Sequence, residues 1–378
     1  MYLSGMNYDV IIVGGGLAGL TASIYLAKND VNVLVYEKKP YPHHKVCGEY
    51  VSNEVRPFLE FLGLNLEGLG AVDITQFSIS NQRGKKLHTQ LPLGGFGISR
   101  FALDHALYQL ALDNGVEFKF EAVESIEFQQ KSFQVRTKKQ CLESPIVIGS
   151  FGKRSSLDKQ LNRSFMHKKS PWLGIKAHYH FEEFPEDQVE LHCFEGGYGG
   201  LSKTESGAVN FCFLTHYKSF QQAKNIEVFT TNVVAKNPFL KHFLDKATPA
   251  FEQPLGIAQI SFSKKECIQN HVMMCGDSAG LIHPLCGNGM AMAIHAAKIA
   301  SDAILRFFKE ESFSREQLEK EYQKKWKSNF SRRLNYGRNI QYLITNPSLT
   351  NAAFSIFPKT ELFLSSIIKQ THGKPILV

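Results

Sequence analysis

Residues Tyr8 to Glu37 form one uninterrupted pattern that few folds accommodate. The apolar run Tyr8-Asp9-Val10-Ile11-Ile12-Val13 reads as a strand, and Gly14-Gly15-Gly16-Leu17-Ala18-Gly19 follows as a loop. A helical stretch then reaches about Lys28, and a second strand, Val31 to Tyr36, closes on Glu37. This is the spacing of a dinucleotide-binding βαβ unit. A pyrophosphate approaches a helix N-terminus closely only where the turn carries no side chains, so Gly14 makes the tight turn and Gly16 lets the backbone near. Gly19 lets helix and strand pack. Glu37, eighteen residues after Gly19, sits where a carboxylate accepts hydrogen bonds from a ribose diol, and its charge disfavours a 2′-phosphate. The adenosine half of FAD or NAD fits, and NADP fits poorly.

A chain of 378 residues suggests two domains at roughly 150 residues each. There is no run of about 18 apolar residues and no basic-apolar signal pattern at the N-terminus, so a cytoplasmic protein is expected. Seven cysteines without a CxxC pair argue against a disulfide framework and a structural zinc site, and no metal is expected. His43-His44 lacks a further ligand at close spacing and reads as a polar loop. From Tyr322 onward nine Lys or Arg stand against one acid, Glu361. With Phe354, Ile356, Phe357, Leu362, Phe363, Leu364, Ile367 and Ile368, this basic tail allows a peripheral contact with anionic membrane, although a solvated face on a packed helix is favoured. There is no recognisable nucleic-acid module, so no nucleic-acid partner is expected.

The later pattern divides the chain. A helix is expected from about Asn53 to Leu62, hairpin strands near 70–96, a helix from Phe101 to Asn114, and the apolar strand Ile146-Val147-Ile148. From about 163 to 262 long β-alternation takes over, interrupted by one helical stretch from Ile226 to Leu244. The strand Val272-Met273-Met274-Cys275 and a glycine-rich loop return to the opening style, and the helix Met290 to Phe308 follows. The expected fold class is α/β, α+β overall. A discontinuous Rossmann-like domain takes 1–162 and 263–310, with a sheet portion near 70–96. An inserted antiparallel-sheet substrate domain takes 163–262, and a helical C-terminal cap takes 311–378.

The stretch Cys275-Gly276-Asp277-Ser278-Ala279-Gly280-Leu281-Ile282-His283-Pro284-Leu285-Cys286-Gly287-Asn288-Gly289-Met290 resembles the GD-box and following loop of FAD enzymes related to para-hydroxybenzoate hydroxylase. The resemblance implies FAD, with Asp277 on the ribityl chain and Pro284 to Met290 along the flavin ring. Backbone amides of Gly287, Asn288 and Gly289 opening a helix would offer donors and a positive dipole end to the negative charge of a reduced flavin. Lys45-Val46-Cys47-Gly48-Glu49 is similar to the Cys-Gly-Glu segment of geranylgeranyl reductases, which lies beside the flavin. Arg100, heading its helix, is similar to the family arginine that contacts the cofactor. The cofactor-binding set implied by motif and resemblance together is Gly14, Gly16, Leu17, Ala18, Gly19, Glu37, Lys38, Cys47, Gly48, Arg100, Gly276, Asp277, Pro284, Gly287, Asn288, Gly289 and Met290.

Two departures narrow the reading. Phe151, in Gly149-Ser150-Phe151-Gly152, stands where related hydroxylases carry the Asp of an Asp-Gly box, which counts against a standard NADPH-driven hydroxylation cycle. Where the reductases carry their lipid-cavity segment, at Gly196 to Leu201, only Tyr198 and the later Gly207 fit, while Phe194, Phe211 and Phe213 on alternating strands offer an apolar substrate pocket. The resemblance thus implies an FAD-dependent oxidoreductase whose flavin N5 exchanges hydride with an apolar, isoprenoid or polyketide-like substrate. The alternative is a monooxygenase acting on an aromatic or polyketide-like substrate with NAD(P)H and oxygen. NADH or NADPH stands open as the reductant. Cys47 and His283 are the candidate catalytic or substrate-orienting side chains. Cys286 is read as a buried thiol independent of Cys47.

Overall fold

The computed structural model describes residues 8–223, 225–356 and 361–377. Two large sheets organise it, and the active loops run between them. The first sheet has six strands in the order Ile268–Gln269, Val272–Met274, Ile146–Gly149, Val10–Val13, Val33–Tyr36 and Glu117–Lys119. All pairs are parallel except the edge pair of Ile268–Gln269 with Val272–Met274. Its inner strands are buried along their whole length, as their run of β-branched residues requires for a sheet covered on both faces. The helices Leu17–Ala27, Arg100–Asp113 and Gly289–Lys309 pack around it. A three-stranded sheet, Val123–Gln129, Ser132–Thr137 and Cys141–Ser144, attaches at one side.

The second sheet has nine strands. Its central order is Trp172–His180, Val209–His216, Gly197–Lys203, Gln188–Phe194, Val72–Ser80, Lys86–Gly97 and Tyr50–Ser52. The short strands Thr248–Pro249 and Leu255–Ala258 both pair with Trp172–His180 at the far edge. The strands near 70–96, assigned from sequence to the nucleotide domain, are therefore part of the same sheet as 172–216. The joint is the parallel pair of Val72–Ser80 with Gln188–Phe194. The nucleotide and sheet regions interleave along the chain, a non-local pairing that no local pattern encodes.

The helical stretch expected at 226–244 is divided into Ile226–Asn232, the tight turn Val234–Lys236 and Pro238–Lys246, and a further short helix, Tyr217–Ala223, precedes it. Asn237 breaks it: its side chain caps the last helix by accepting from Phe239 and Leu240, and Pro238 occupies the first turn. The helix Arg315–Thr345 starts from a capping box of Ser314 and Gln317, and Pro347–Ile356 and Glu361–Thr371 follow. Of the apolar tail residues, Phe354 and Ile368 are buried and Leu364 packs against the core, whereas Phe357 and the side chains of Ile356, Leu362 and Phe363 lie outside the described residues. Elsewhere in the described tail Tyr336, Tyr342, Leu349 and Leu377 are exposed.

Candidate active site

The nucleotide loop is built by exclusion. Gly14 has φ +109°, and a Cβ there would lie 2.4 Å from the Ser150 carbonyl oxygen; one on Gly19 would lie 2.0 Å from the Gly14 carbonyl oxygen. Gly16 differs, because a Cβ there meets nothing nearer than the Arg100 guanidinium at 3.8 Å. Its bare face opens on free space in front of a cation, as a pyrophosphate requires. Leu17 and Ala18 begin the helix behind it, and Lys38 follows the second strand. Glu37 braces the loop: its carboxylate accepts from the backbone of Gly15 at 2.8 Å, Lys38 at 2.8 Å and Lys39 at 3.2 Å. The Glu37 oxygens retain lone pairs for a diol. Tyr41 donates to the Gly15 carbonyl while its ring stacks on Tyr108 with centroids 4.5 Å apart.

Opposite this loop, Gly276 adopts φ +59°, and a Cβ on it would lie 3.2 Å from Ala18. The GD turn is thus seated on the nucleotide-binding helix. Asp277 is half-buried, and among the described residues no donor bonds its carboxylate, which leaves it available for ribityl hydroxyls. An open face at Gly16 and an unpaired acid at Asp277 together fit FAD. Pro284–Cys286 forms a single helical turn, Gly287 follows in the left-handed region at φ +62°, and Gly289 and Met290 open the helix Gly289–Lys309. The Asn288 side-chain amide donates to the Thr371 carbonyl at 2.7 Å, and its Oδ1 is buried without a partner among the described residues.

The loop 45–49 is anchored at every residue. Lys45 pairs with Asp104 at 2.8 Å, and Lys153 donates to the Val46 carbonyl at 3.1 Å. Asn210 donates to the carbonyls of Cys47 at 3.3 Å and Gly48 at 2.9 Å, and Ser202 adds a bond to Gly48 at 3.1 Å. The Cys47 sulfur lies beside the guanidinium of Arg100, which is held bidentately by Asp104 at 2.7 Å. A Cβ on Gly48 would meet nothing within 4 Å, so this loop too presents a bare face to open space.

Glu49 ends the loop in a fully buried ionic group absent from the sequence reading. Its Oε1 accepts from Lys176 Nζ at 2.5 Å and from the Arg100 amide at 2.7 Å, and its Oε2 lies 2.6 Å from His178 Nε2. Burial acts to raise the Glu49 carboxyl, but His178 and Lys176 outweigh it and hold the group below the usual carboxylate range. His44 is packed between Phe101 and Phe251 and meets His178 edge-on. The ligand atoms of His44, Glu49 and His178 lie within 4.8 Å of one another, yet the Lys176 ammonium already supplies the positive charge that a metal would bring.

The candidate pocket residues divide between two sheet faces. Strand register puts Lys176, His178, Asn210, Cys212, Leu214, Tyr198 and Ser202 on the face toward loop 45–49. Phe194, Phe211 and Phe213 occupy the opposite face, buried with Phe229, Leu240 and Phe243 under the helices 217–246. They are core of the sheet region rather than lining beside Tyr198, because strand neighbours one residue apart point oppositely. Tyr198 is on the cofactor side: its hydroxyl accepts from the Leu285 amide at 3.0 Å and lies 3.0 Å from His283 Nδ1. Nδ1 is the one acceptor the phenol meets among the described residues, so the phenol donates there and the proton of the neutral imidazole lies on Nε2. That Nε2 is buried without a partner among the described residues. Phe262 packs on the ring at 4.2 Å and Trp172 stands edge-on at 6.0 Å. Burial pushes the imidazole down to about 3, so it is neutral at physiological pH and acts as a hydrogen-bond donor rather than a proton source.

Cys47 and Cys286 are both free, and each has other neighbours. Burial pushes the Cys286 thiol up to about 12, and a Cβ on Gly337 of the long helix would lie 3.2 Å from its sulfur. Ser150 bonds the Gly14 carbonyl at 2.6 Å and Gly152 donates to Ser278 at 2.9 Å, so the segment around Phe151 ties the two nucleotide-binding turns together without an acid.

This arrangement agrees with comparison to known proteins. The family model described as FAD binding domain matches residues 7–325. The chain belongs to that family. This FAD-dependent enzyme is similar to the digeranylgeranylglycerophospholipid reductase of Methanocaldococcus jannaschii, 28% identical over 345 residues that cover 85% of this chain and 82% of the relative. It is also similar to the conditioned medium factor receptor 1 of Dictyostelium discoideum, 23% identical over 384 residues, covering 93% of this chain and 74% of that one. The solved structure of the flavin-dependent brominase Bmp2 shares the fold with a TM-score of 0.78 at 16% identity, over 96% of this chain and 93% of the other. The FAD-binding protein is thus an oxidoreductase of the para-hydroxybenzoate hydroxylase and geranylgeranyl reductase superfamily. Among the described residues no helix is long and apolar enough to cross a membrane.

Proposed function

We propose that this enzyme reduces or dehydrogenates an apolar substrate, isoprenoid or polyketide-like, that carries one hydrogen-bond acceptor. The observation that carries the reading is His283, a neutral donor with a buried, unpartnered Nε2 set among Trp172, Phe262 and Tyr198. The surrounding cofactor-side cluster of Leu191, Cys193, Leu214, Ile260 and Leu281 is apolar and buried. An unmet donor there costs about 1–3 kcal/mol, which a substrate carbonyl or hydroxyl oxygen would recover. A purely hydrocarbon ligand would not.

FAD supplies hydride exchange when bound; the residues supply position and exclusion of water. Gly14 to Gly19 and Arg100 receive the pyrophosphate, Asp277 the ribityl chain, and the Cys47–Gly48 loop and the Pro284–Met290 loop flank the space between. His283 orients the substrate, and Cys47, next to Arg100, is the remaining candidate for handling a proton. The digeranylgeranylglycerophospholipid reductases among the relatives support an isoprenoid-bearing substrate. NADH or NADPH as electron donor belongs to the same proposal. The test is to reduce the FAD-loaded protein with dithionite and mix it anaerobically with polyprenyl lipids bearing a polar head. Return of oxidised flavin absorbance without oxygen is expected. Reoxidation only with oxygen, stimulated by the same compounds, would replace this reading with the monooxygenase.

A further inference from the structure

Behind the GD turn lies a second, separate groove. It runs between the loop Ser263, Lys264, Lys265 and Glu266, the turn Ala279–Leu281, and the face of the helix Arg315–Thr345 that carries Trp326, Lys327, Ser331 and Arg338. Gly276 at the start of the turn faces Ala18 and Ala293 on the nucleotide side, whereas Gly280 touches Trp326, so the groove is on the other side of the turn from the FAD cradle. Its free volume is about 230 Å³, below the several hundred Å³ of a site for a whole cofactor and suited to a head group.

The charge of this groove is unbalanced. Lys265 is at its floor, nine-tenths buried, donating to the backbone carbonyls of Lys153 at 2.8 Å and Asp277 at 2.7 Å; no carboxylate among the described residues bonds it. Its remaining side lies over the Phe165 ring, 4.4 Å from the centroid, so the charge is met by carbonyl dipoles and an aromatic face and by no anion among the described residues. Buried cations are ordinarily paired, because desolvation of an isolated charge costs several kcal/mol. Burial pushes the Lys265 ammonium down to about 8, with Asp277 and Asp158 only partly offsetting it and Arg163 and Arg154 adding to it. At the rim, Lys264, Lys327 and Arg338 have no carboxylate partner among the described residues, and Glu266 is the one acid lining the groove. Arg163 is spoken for by Asp158 at 2.8 Å.

We propose that this groove is a binding site for a phosphate group, with Lys265 beneath it and Lys264, Lys327 and Arg338 around it. Phe262, next in the chain to the groove residue Ser263, packs on His283, so one loop borders both the groove and the aromatic cage around that histidine. The phosphate comes either from a phosphorylated substrate or from a nicotinamide dinucleotide phosphate. Neither source is needed for the redox proposal to stand.

The test uses the full-length, FAD-loaded protein and begins with inorganic phosphate and pyrophosphate as probes in isothermal titration calorimetry. Binding at millimolar concentration or tighter is expected. Lys327→Ala and Lys264→Ala, both exposed and outside the core, should each weaken it about tenfold, as loss of a charge-assisted bond does. Lys320→Ala, on the same helix but paired with Glu316, should leave it unchanged. Because an anion favours the charged ammonium, binding near pH 8 should take up protons, visible as a heat that varies with the buffer's ionisation enthalpy, and affinity should fall above pH 8. Lys265→Met should abolish the uptake; if that variant does not fold, the two surface variants still decide. A polyprenyl diphosphate arm and an NADPH-against-NADH arm then distinguish the sources. Failure of phosphate to bind, or equal binding by all the lysine variants, overturns the site without touching the redox assignment.

Discussion

The two faces of the nine-stranded sheet are made from the same strands and do opposite work. One face carries Phe194, Phe211 and Phe213 into a closed aromatic core with Phe229 and Phe243. The other carries Lys176, His178, Asn210 and Ser202 onto the loop 45–49, and Tyr198 onto the loop that follows the GD turn. The aromatic face is satisfied by packing alone, whereas the polar face takes its partners from the loop 45–49 and from Leu285. The polar face therefore couples the position of the Cys47–Gly48 loop to the stability of the sheet, and the aromatic face does not.

The strongest way to break this comparison is at Lys176. Removing one partner of a fully buried ion pair leaves the other uncompensated, so Lys176→Met should cost about 4 kcal/mol in urea-induced unfolding and should also loosen FAD retention. Adding Glu49→Leu to it should recover much of the stability but not the retention, because the Arg100 amide loses its acceptor. A cost under about 1 kcal/mol, typical of a surface pair such as Lys241–Asp245, would show that the buried group is not ionic. On the opposite face Phe211→Ala should cost about 3 kcal/mol by cavity formation. In that variant the FAD-to-protein ratio of the folded fraction should stay at the wild-type value; a fall would mean that the aromatic core is coupled to the site after all.

Legibility in the sequence follows the same division. The Gly14–Gly19 loop, Glu37 and the Gly276–Met290 stretch were readable because each is a local spacing imposed by one chemical contact. The Glu49 group is not readable, because Lys176 and His178 lie more than a hundred residues from Glu49 in the chain. A faint signal exists: Lys176, His178 and His180 stand two apart in the strand Gly174 to Phe181, which puts all three on one face. Period-2 alternation likewise placed Phe211 and Phe213 together. Alternation says which residues share a face but not what that face meets, so alternation alone offers Phe194, Phe211 and Phe213 as a pocket, whereas they close the core on the other face from Tyr198. Gly15 and Tyr41 were missed for a related reason, since a Cβ on Gly15 would collide with a hydroxyl from beyond the motif.

Acid provides a smaller probe of the cofactor-side face. His283 is held neutral in the folded protein down to about pH 3, against about 6.5 when unfolded. With the folded value depressed, the unfolded chain binds the extra proton, so stability is whole above pH 6.5 and declines as pH falls toward 3. Between pH 6.5 and 4.5 this histidine alone should remove about 2 kcal/mol, read as a shift of the urea midpoint. His295, also pushed down by burial, to about 4, adds in the same direction. His283→Asn should flatten that dependence; an unchanged slope would mean that His283 is not buried neutral.

The least disruptive test is Tyr198→Phe, which deletes one oxygen and keeps the ring. The Leu285 amide loses its acceptor and His283 Nδ1 its donor, at about 1–2 kcal/mol in all. Because only the phenol fixes the tautomer, the imidazole becomes free to carry its proton on Nδ1, which ¹⁵N chemical shifts report directly. The flavin absorbance and FAD retention should not change, since no cofactor contact is removed. A variant that keeps the Nε2–H tautomer would show that something other than Tyr198 orients His283, and the donor proposed to face the substrate would then rest on a different partner of the cofactor-side face.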